Sequence, residues 1–307
     1  MSLIKVEDIS HVRFRAPDLD EMERFALAFG LTPVERSETR LICRGVGSSP
    51  VVHVTEKGEP GFAAIGFRAE SLADLERLAA AEKVAVEDLN WPGGGKVVRL
   101  TDPDGHLVEV VAGQTPAAAL PIPVEAAHNT AAHKTRKRQT LRLEAGPSTV
   151  VRLGHGVLEI ADFRRSEAWY KERFGFITSD EIEFAPGMAM GAFLRCDRGD
   201  TPTDHHTLFL LQSPRAPAFN HAAFEVAHLD DLMCGHTHLK ADNRTPAWGI
   251  GRHILGSQVF DYWKDPWGHE LEHWTDGDLF TAADAPGKAS LQDLLGVQWG
   301  PRHPMSA

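Results

Sequence analysis

A short phrase occurs twice in this chain of 307 residues, as DPDGHLVE at residues 102–109 and as DPWGHELE at residues 265–272. Each copy has an Asp-Pro turn with a glycine, followed by residues that lead into an apolar, strand-like segment. Repetition over this distance predicts a chain built from two similar halves.

Further matches extend the repeat. Residues 9–30 and 153–175 each contain a strand, a helix that begins near an aspartate, and a glycine stop. Residues 67–75 and 224–232 form a second pair, again a strand followed by a helix, and short β-rich segments follow every helix. The sequence therefore predicts an α+β fold with two domains, each made of two βαβββ modules that form a half-barrel around a cavity.

The repeat also gives the predicted domain boundaries. An N-terminal domain is expected over residues 1–115 and a C-terminal catalytic domain over residues 149–280. Residues 116–148, rich in Ala and Pro, read as a linker, and residues 281–307 read as a tail. Packing of the tail on the body of the protein and packing on a neighbouring subunit are both compatible with its sequence.

Composition excludes several classes of function. The formal charge of −11 opposes nucleic-acid binding, which depends on a basic surface. No apolar run approaches the ~20 residues that cross a membrane, and the first residues lack the pattern of a signal peptide, so a cytoplasmic location is expected. The isolated Cys43, Cys196 and Cys234 do not match a disulfide framework or a thiolate zinc site.

Three residues of the second half are candidate metal ligands. His155 lies on its first predicted strand, His221 on the first strand of its second module, and Glu272 on its last strand. Alternate side chains of a curved sheet point inward, so these residues can converge on one cavity. Two imidazoles and one carboxylate form the ligand set of non-haem Fe(II) oxygen chemistry, with open positions for substrates.

The first half provides an internal control for this interpretation. His11 matches His155 and Glu109 matches Glu272, but Ala64 falls where His221 would be expected. A site with two ligands should bind metal poorly, so the N-terminal domain is predicted to lack a functional metal site. His11 and Glu109 are expected to serve packing and hydrogen bonding.

The order of polar residues along the second half resembles a known family. The features are His155, HHT at 205–207, His221, GRH at 251–253, Tyr262, and DPWGHELE at 265–272. They are similar to the ordered signature of the type I extradiol (meta-cleaving) catechol dioxygenases of the vicinal oxygen chelate superfamily. The resemblance covers nearly all of both domains, and in that family the N-terminal domain has lost its metal site.

The resemblance implies a role for each matching residue. His155, His221 and Glu272 would bind Fe(2+), although Mn(2+) accepts the same ligands. His206 would be the acid/base residue, while His253 and Tyr262 would hydrogen-bond to substrate oxygens. His205 reads as an ordinary polar neighbour of His206. Two further residues, Val157 and Trp248, are expected to line the substrate pocket.

The implied activity is that of an extradiol ring-cleaving dioxygenase, which inserts both atoms of O2 into a substituted catechol next to the diol. Such enzymes act in aromatic hydrocarbon catabolism, and related enzymes are oligomers, so a homo-oligomer is expected. Two alternatives remain open. One is a metal enzyme of the glyoxalase or epimerase type, which commonly has four protein ligands. The other is a non-catalytic, antibiotic-sequestering binding protein of the same fold.

Overall fold

The two halves of the chain form two large β-sheets in the computed structural model, which describes residues 2–304. The first half contributes an eight-stranded sheet and the second half a ten-stranded sheet. The predicted α+β fold with two sheet domains is therefore confirmed. The connecting residues 113–149 contain no helix or strand and are mostly exposed.

The elements of the first half are, in chain order, β1 (Val6–Ala16), α1 (Leu19–Phe29), β2 (Thr32–Arg36), β3 (Arg40–Arg44), β4 (His53–Lys57), β5 (Gly61–Ala69), α2 (Leu72–Glu82), β6 (Val86–Asp88), β7 (Lys96–Thr101) and β8 (Leu107–Ala112). Those of the second half are β9 (Val150–Ile160), α3 (Phe163–Phe174), β10 (Ile177–Ala185), β11 (Met188–Arg195), β12 (Thr203–Asp204), β13 (Leu208–Gln212), β14 (Ala218–Val226), α4 (Leu229–Ala241), β15 (Thr245–His253), β16 (Val259–Lys264) and β17 (Glu270–Thr275). The remaining elements are β18 (Leu279–Phe280), β19 (Gly287–Ser290), α5 (Leu291–Leu295) and β20 (Val297–Trp299).

The strand order repeats the modules. The first sheet runs β2-β3-β4-β1-β5-β8-β7-β6, and the second contains the equivalent order β10-β11-β13-β9-β14-β17-β16-β15. In each sheet the first strands of the two modules are antiparallel neighbours at the centre, β1 with β5 and β9 with β14. The centre of each sheet is therefore where residues of both modules meet.

The predicted helix boundaries follow from local capping. The Asp18 side chain accepts hydrogen bonds from two backbone amides at the start of α1, and Asp162 accepts one at the start of α3. Both helices end at a glycine in the left-handed region, Gly30 with φ 95° and Gly175 with φ 72°. A side chain at Gly30 would also collide with the carbonyl oxygen of Ser148, 1.9 Å from the ideal Cβ position.

The two sheets share one continuous core. Phe62 on β5 stacks on Phe219 on β14, with ring centroids 4.5 Å apart. At the centre, β1 and β5 approach β9 so closely that a Cβ on Gly156 would lie 2.8 Å from Ile65. Burial of these apolar side chains stabilises the contact between the two halves.

The C-terminal tail, within the described residues, packs on the second sheet of its own chain. β19 pairs in parallel with β10 at one edge, and β20 pairs antiparallel with β15 at the other edge. The short helix α5 connects them and begins with a capping box formed by Ser290 and Asp293. The tail thus crosses the open side of the half-barrel. None of the helices within residues 2–304 is long and apolar enough to span a bilayer.

Candidate metal centre

Strand register brings the three predicted metal ligands together on the inner face of the second sheet. In the antiparallel pair of β9 and β14, His155 lies opposite Ala223 and Val157 lies opposite His221. In the parallel pair of β14 and β17, Ala223 also aligns with Glu272. The three side chains therefore come from adjacent strands and from one face, since residues two positions apart share a face.

The distances between their donor atoms fit one ion. Oε2 of Glu272 lies 3.4 Å from Nε2 of His155 and 3.3 Å from Nε2 of His221. One ligand atom from each of the three residues lies within 4.8 Å of the others. Two ligands about 2.1 Å from one metal and at right angles would be about 3 Å apart, so a small adjustment would suit a shared divalent cation.

The environment of Glu272 also fits a cation. This carboxylate is completely buried, and both of its oxygens lack a hydrogen-bond partner within the part of the chain that the structure describes. Burial by itself would raise the pKa of Glu272, but the surrounding His155, His221 and His253 outweigh it and hold the pKa well below its usual value. A buried, ionised carboxylate is costly unless a positive charge compensates it, which a bound metal would do.

Both imidazoles are suited to act as neutral ligands. Burial, only partly offset by Glu272, lowers the pKa of His155. Nδ1 of His221 lies 2.8 Å from the side-chain oxygen of Asn220, to which it can donate a hydrogen bond. That contact leaves Nε2 of His221 unprotonated and directed to the site, as metal binding requires.

The equivalent position in the first half is closed by protein groups. Ala64 has the position of His221 in the strand register. It lies opposite Arg13 in the pair of β1 and β5, as His221 lies opposite Val157 in the pair of β9 and β14. Nε2 of His11 lies 2.8 Å from Oε2 of Glu109. The other carboxylate oxygen of Glu109, Oε1, accepts hydrogen bonds from Arg13 at 3.1 Å and from Arg99 at 2.9 Å. Burial opposes ionisation of Glu109, but these partners lower its pKa to about 2. The two residues serve hydrogen bonding here, as expected from the sequence.

Three further polar side chains that were singled out in the sequence surround the triad. The ring of His206 lies 4.0 Å from that of His155, between centroids. Tyr262 lies directly opposite Glu272 in the pair of β16 and β17, and its hydroxyl is 3.2 Å from Nε2 of His253. Nε2 of His253 is 3.6 Å from Oε1 of Glu272. Tyr262, His253 and His206 therefore face the position of the candidate metal, and the first two can donate hydrogen bonds there.

Burial and charge define the protonation states of two of these groups. Burial, followed by the charge of Glu272, raises the pKa of Tyr262 well above its usual value, so its phenol stays protonated and can donate a hydrogen bond. Burial, followed by the neighbouring imidazoles, lowers the pKa of His206 well below its usual value. The neutral His206 ring retains a basic nitrogen.

His155 and His221 border a cavity of about 680 Å³, within the range that binds small organic molecules. Val157 and Trp248, predicted to line a substrate pocket, both border it. One wall is apolar and comes from β11, β13, the segment after β15 and the tail; its members are Met190, Phe193, Phe209, Leu211, Leu255 and Leu294. The cavity can therefore hold an aromatic ring together with an apolar substituent.

The cationic side chains that border the cavity are already paired. Arg215 binds Glu159 through two contacts, and Nζ of Lys264 lies 3.7 Å from Glu270. Arg244 and Arg252 do not border it and form ion pairs elsewhere, Arg252 with Asp276 at 2.8 Å. The cavity thus offers little unpaired positive charge for a carboxylate.

Sequence reasoning missed two contributions to this region. The tail supplies Leu291, Leu294 and Leu295 to the cavity wall, which depends on long-range strand pairing that no local pattern reveals. Behind His206, the neighbouring His205 is not merely a polar neighbour, because it lies 3.1 Å from the His206 ring and 2.7 Å from Asp180. The only sequence signal for that contact is the His-His pair itself.

Comparison with known proteins identifies relatives of the whole chain. Residues 152–273 match the family described as the Glyoxalase/Bleomycin resistance protein/Dioxygenase superfamily. The chain is 31% identical to metapyrocatechase 2 of Cupriavidus necator over 306 residues, covering 97% of this chain and 90% of the relative. It is also 30% identical to an iron-dependent extradiol dioxygenase of Rhodococcus jostii over 132 residues, 41% of this chain and 43% of that protein.

A solved structure shows the same fold. The manganese-bound glyoxalase of Novosphingobium aromaticivorans superposes with a TM-score of 0.79 at 24% identity, covering 99% of this chain and 94% of that chain. Similarity at this level supports the two-domain sheet architecture.

Proposed function

The chain belongs to the extradiol dioxygenases of the Glyoxalase/Bleomycin resistance protein/Dioxygenase superfamily, and from this premise we propose that it opens the ring of a substituted catechol next to the diol, using O2. The observation that carries the proposal is the convergence of His155, His221 and Glu272, with both imidazoles bordering the cavity. A facial set of two imidazoles and one carboxylate is the arrangement used by non-haem Fe(II) oxygenases.

Iron(II) is the proposed metal, although Mn(II) accepts the same ligands. When bound, it would supply the open coordination positions and the electron transfer that allow a catechol and O2 to react. The buried, unpaired oxygens of Glu272 and the short distances to Nε2 of His155 and His221 support this assignment.

The surrounding side chains would position the diol and move its proton. The Tyr262 hydroxyl and Nε2 of His253, 3.2 Å apart, can both hydrogen-bond to a substrate oxygen near Glu272. The neutral His206 would accept a proton from a substrate hydroxyl and return it later in the reaction.

The substrate proposed is a catechol with an alkyl or aryl substituent. Phe193 and Phe209 stack at 4.2 Å between centroids and form a flat apolar surface beside Val157. Arg215 is paired with Glu159 and Lys264 with Glu270, so neither cation is free to bind a carboxylate side chain. An apolar substituent gains by leaving water, whereas a carboxylate would lose its hydration without compensation.

The decisive experiment separates three functions. Purified protein is loaded with Fe(II) without oxygen, mixed with 3-methylcatechol, and then exposed to air, while absorbance and dissolved oxygen are recorded. A dioxygenase forms a yellow ring-opened product and consumes one O2 for each catechol. An enzyme of the glyoxalase type would consume no oxygen, and a binding protein would retain the catechol unchanged; either result would refute the proposal. The cytoplasmic location and the homo-oligomeric state remain predictions.

A further inference from the structure

Behind the cavity, a chain of hydrogen-bonding groups leads away from His206. Nδ1 of His206 lies 3.1 Å from Nδ1 of His205, and Nε2 of His205 lies 2.7 Å from Oδ2 of Asp180. Both imidazoles are buried, while the Asp180 side chain retains 18% exposure. The series thus connects a carboxylate near the surface with an imidazole that borders the cavity.

We propose that Asp180 and His205 are positioning residues that orient His206 and determine which of its ring nitrogens is free to act as a base. The inference rests on the proposed dioxygenase activity, because that activity gives His206 a proton to accept. Neither Asp180 nor His205 would touch the substrate; both would act through His206.

The hydrogen bonds determine a single arrangement of hydrogens. A carboxylate only accepts, so Nε2 of His205 must donate to Asp180. In a neutral ring the other nitrogen then accepts, so Nδ1 of His205 receives a hydrogen bond from Nδ1–H of His206. His206 is left with a lone pair on Nε2. Because Nδ1 is engaged on the far side, Nε2 is the nitrogen available to a substrate in the cavity that His206 borders.

The same arrangement suits the protonated form of His206. A proton accepted at Nε2 leaves Nδ1–H in place as the donor to His205, so no group has to rotate during the transfer. Through His205, Asp180 therefore selects the nitrogen of His206 that is free to act as a base.

The surroundings hold this series in place. Phe193 packs against both rings, at 5.1 Å from His205 and 4.7 Å from His206 between centroids. The Ser179 hydroxyl donates to the carbonyl of His205 at 2.5 Å and itself accepts from the buried Arg195. These contacts tie the strand that carries Asp180 to the segment that carries the histidine pair.

The tail covers the outer end of the series. Asp180 aligns with Gly287 in the parallel pair of β10 and β19. A Cβ on Gly287 would lie 2.0 Å from Oδ1 of Asp180, so the carboxylate occupies the space that any larger residue would need. The pairing of the tail thereby limits the positions of the Asp180 side chain.

The test compares four variants of the iron-loaded enzyme. Asp180→Asn removes the charge, His205→Phe removes both hydrogen bonds, and His205→Asn restores an amide oxygen near the position of Nδ1. Glu183→Gln is the matched control, because Glu183 also lies on β10 and binds the tail through Lys288 at 2.6 Å, without contact to the histidine pair. Turnover and KM are measured with 3-methylcatechol.

We expect kcat to fall about tenfold in Asp180→Asn and about 100-fold in His205→Phe, with KM nearly unchanged, since general acid–base catalysis contributes about 10²- to 10⁴-fold. His205→Asn should recover about tenfold over His205→Phe, and Glu183→Gln should match the wild type. The inference is wrong if Asp180→Asn behaves like Glu183→Gln, or if KM changes as much as kcat. If the wild type itself fails to consume oxygen, the proposed function fails instead.

A second readout is independent of activity. In metal-free protein with ¹⁵N-labelled histidine, NMR distinguishes a ring nitrogen that carries hydrogen from one that does not. Wild-type His206 should carry its hydrogen on Nδ1, and His205→Phe should shift the population toward hydrogen on Nε2. A wild-type ring with hydrogen on Nε2 would overturn the inference, even if every variant folds and binds substrate normally.

Discussion

Replacement of Glu272 by glutamine should abolish the stabilisation of the protein by metal without unfolding the metal-free protein. The substitution keeps the size of the side chain and removes a buried negative charge whose oxygens have no hydrogen-bond partner among the described residues. Because glutamine matches glutamate in size and shape, Glu272→Gln should remain folded without metal, and each protein is compared with its own metal-free state. With metal, the variant should lack the gain that the wild type obtains.

The size of that gain follows from binding linkage. Free metal at about 100 times its dissociation constant stabilises the folded state by about 2.7 kcal/mol. For chains of this size, 1 kcal/mol changes Tm by roughly 2–4 °C, so the wild type should gain roughly 5–10 °C. Calorimetry with Mn(II), which avoids the oxidation of iron, measures the shift.

The repeat provides the matched control. Glu109→Gln removes the carboxylate at the corresponding position of the first half, where Arg13 and Arg99 already occupy one of its oxygens. This variant should be destabilised overall but should retain the full metal-dependent shift. A wild-type-sized shift in Glu272→Gln, or its loss in Glu109→Gln, would refute the assignment of the metal to the second half.

Four other outcomes are expected. His206→Phe should keep a normal iron content by metal analysis while kcat falls about 10²- to 10⁴-fold; loss of iron would contradict its assignment to proton transfer. Leu294→Ala should raise KM roughly three- to tenfold for alkyl-substituted catechols and leave that of catechol itself unchanged, because it removes apolar wall from the tail. Gly154→Ala places a Cβ 2.6 Å from Trp274, beside the candidate ligand His155. It should lower the free energy of unfolding, measured by denaturant titration, by about 1–3 kcal/mol. The pKa of Glu109 is lowered from 4.5 to about 2 in the folded protein, so its contribution to stability is complete above about pH 4.5 and is lost as the pH falls toward 2; acid titration should show a shallower loss over this range in Glu109→Gln than in the wild type.

Much of the fold could be predicted from the sequence because the modules repeat. The caps at Asp18 and Asp162 and the glycine stops at Gly30 and Gly175 are local signals, and the structure has helices with those boundaries. The alignment of the halves also places Ala64 at the position of His221, and the register of the strands has the same correspondence. Comparison of the two copies therefore predicts which residues occupy equivalent positions in the two sheets, which a single copy could not do.

Other features depend on contacts that no local pattern specifies. Tyr262 and Glu272 are ten positions apart, and a turn interrupts the segment between them, so periodicity could not place the two side chains together. The hairpin of β16 and β17 makes them direct cross-strand neighbours. The tail contacts both edges of the sheet through pairings with distant strands. Asp180 reaches His205 across 25 positions of sequence for the same reason.

A crystal structure of the iron-loaded protein, soaked with 3-methylcatechol in the absence of oxygen, tests the central claim most directly. Anomalous scattering at the iron edge should give one strong peak, bound by Nε2 of His155, Nε2 of His221 and the carboxylate of Glu272. The diol should lie beside this ion, with the methyl group toward Phe193 and Phe209. Iron located elsewhere, or a catechol bound away from the three ligands, would contradict the account.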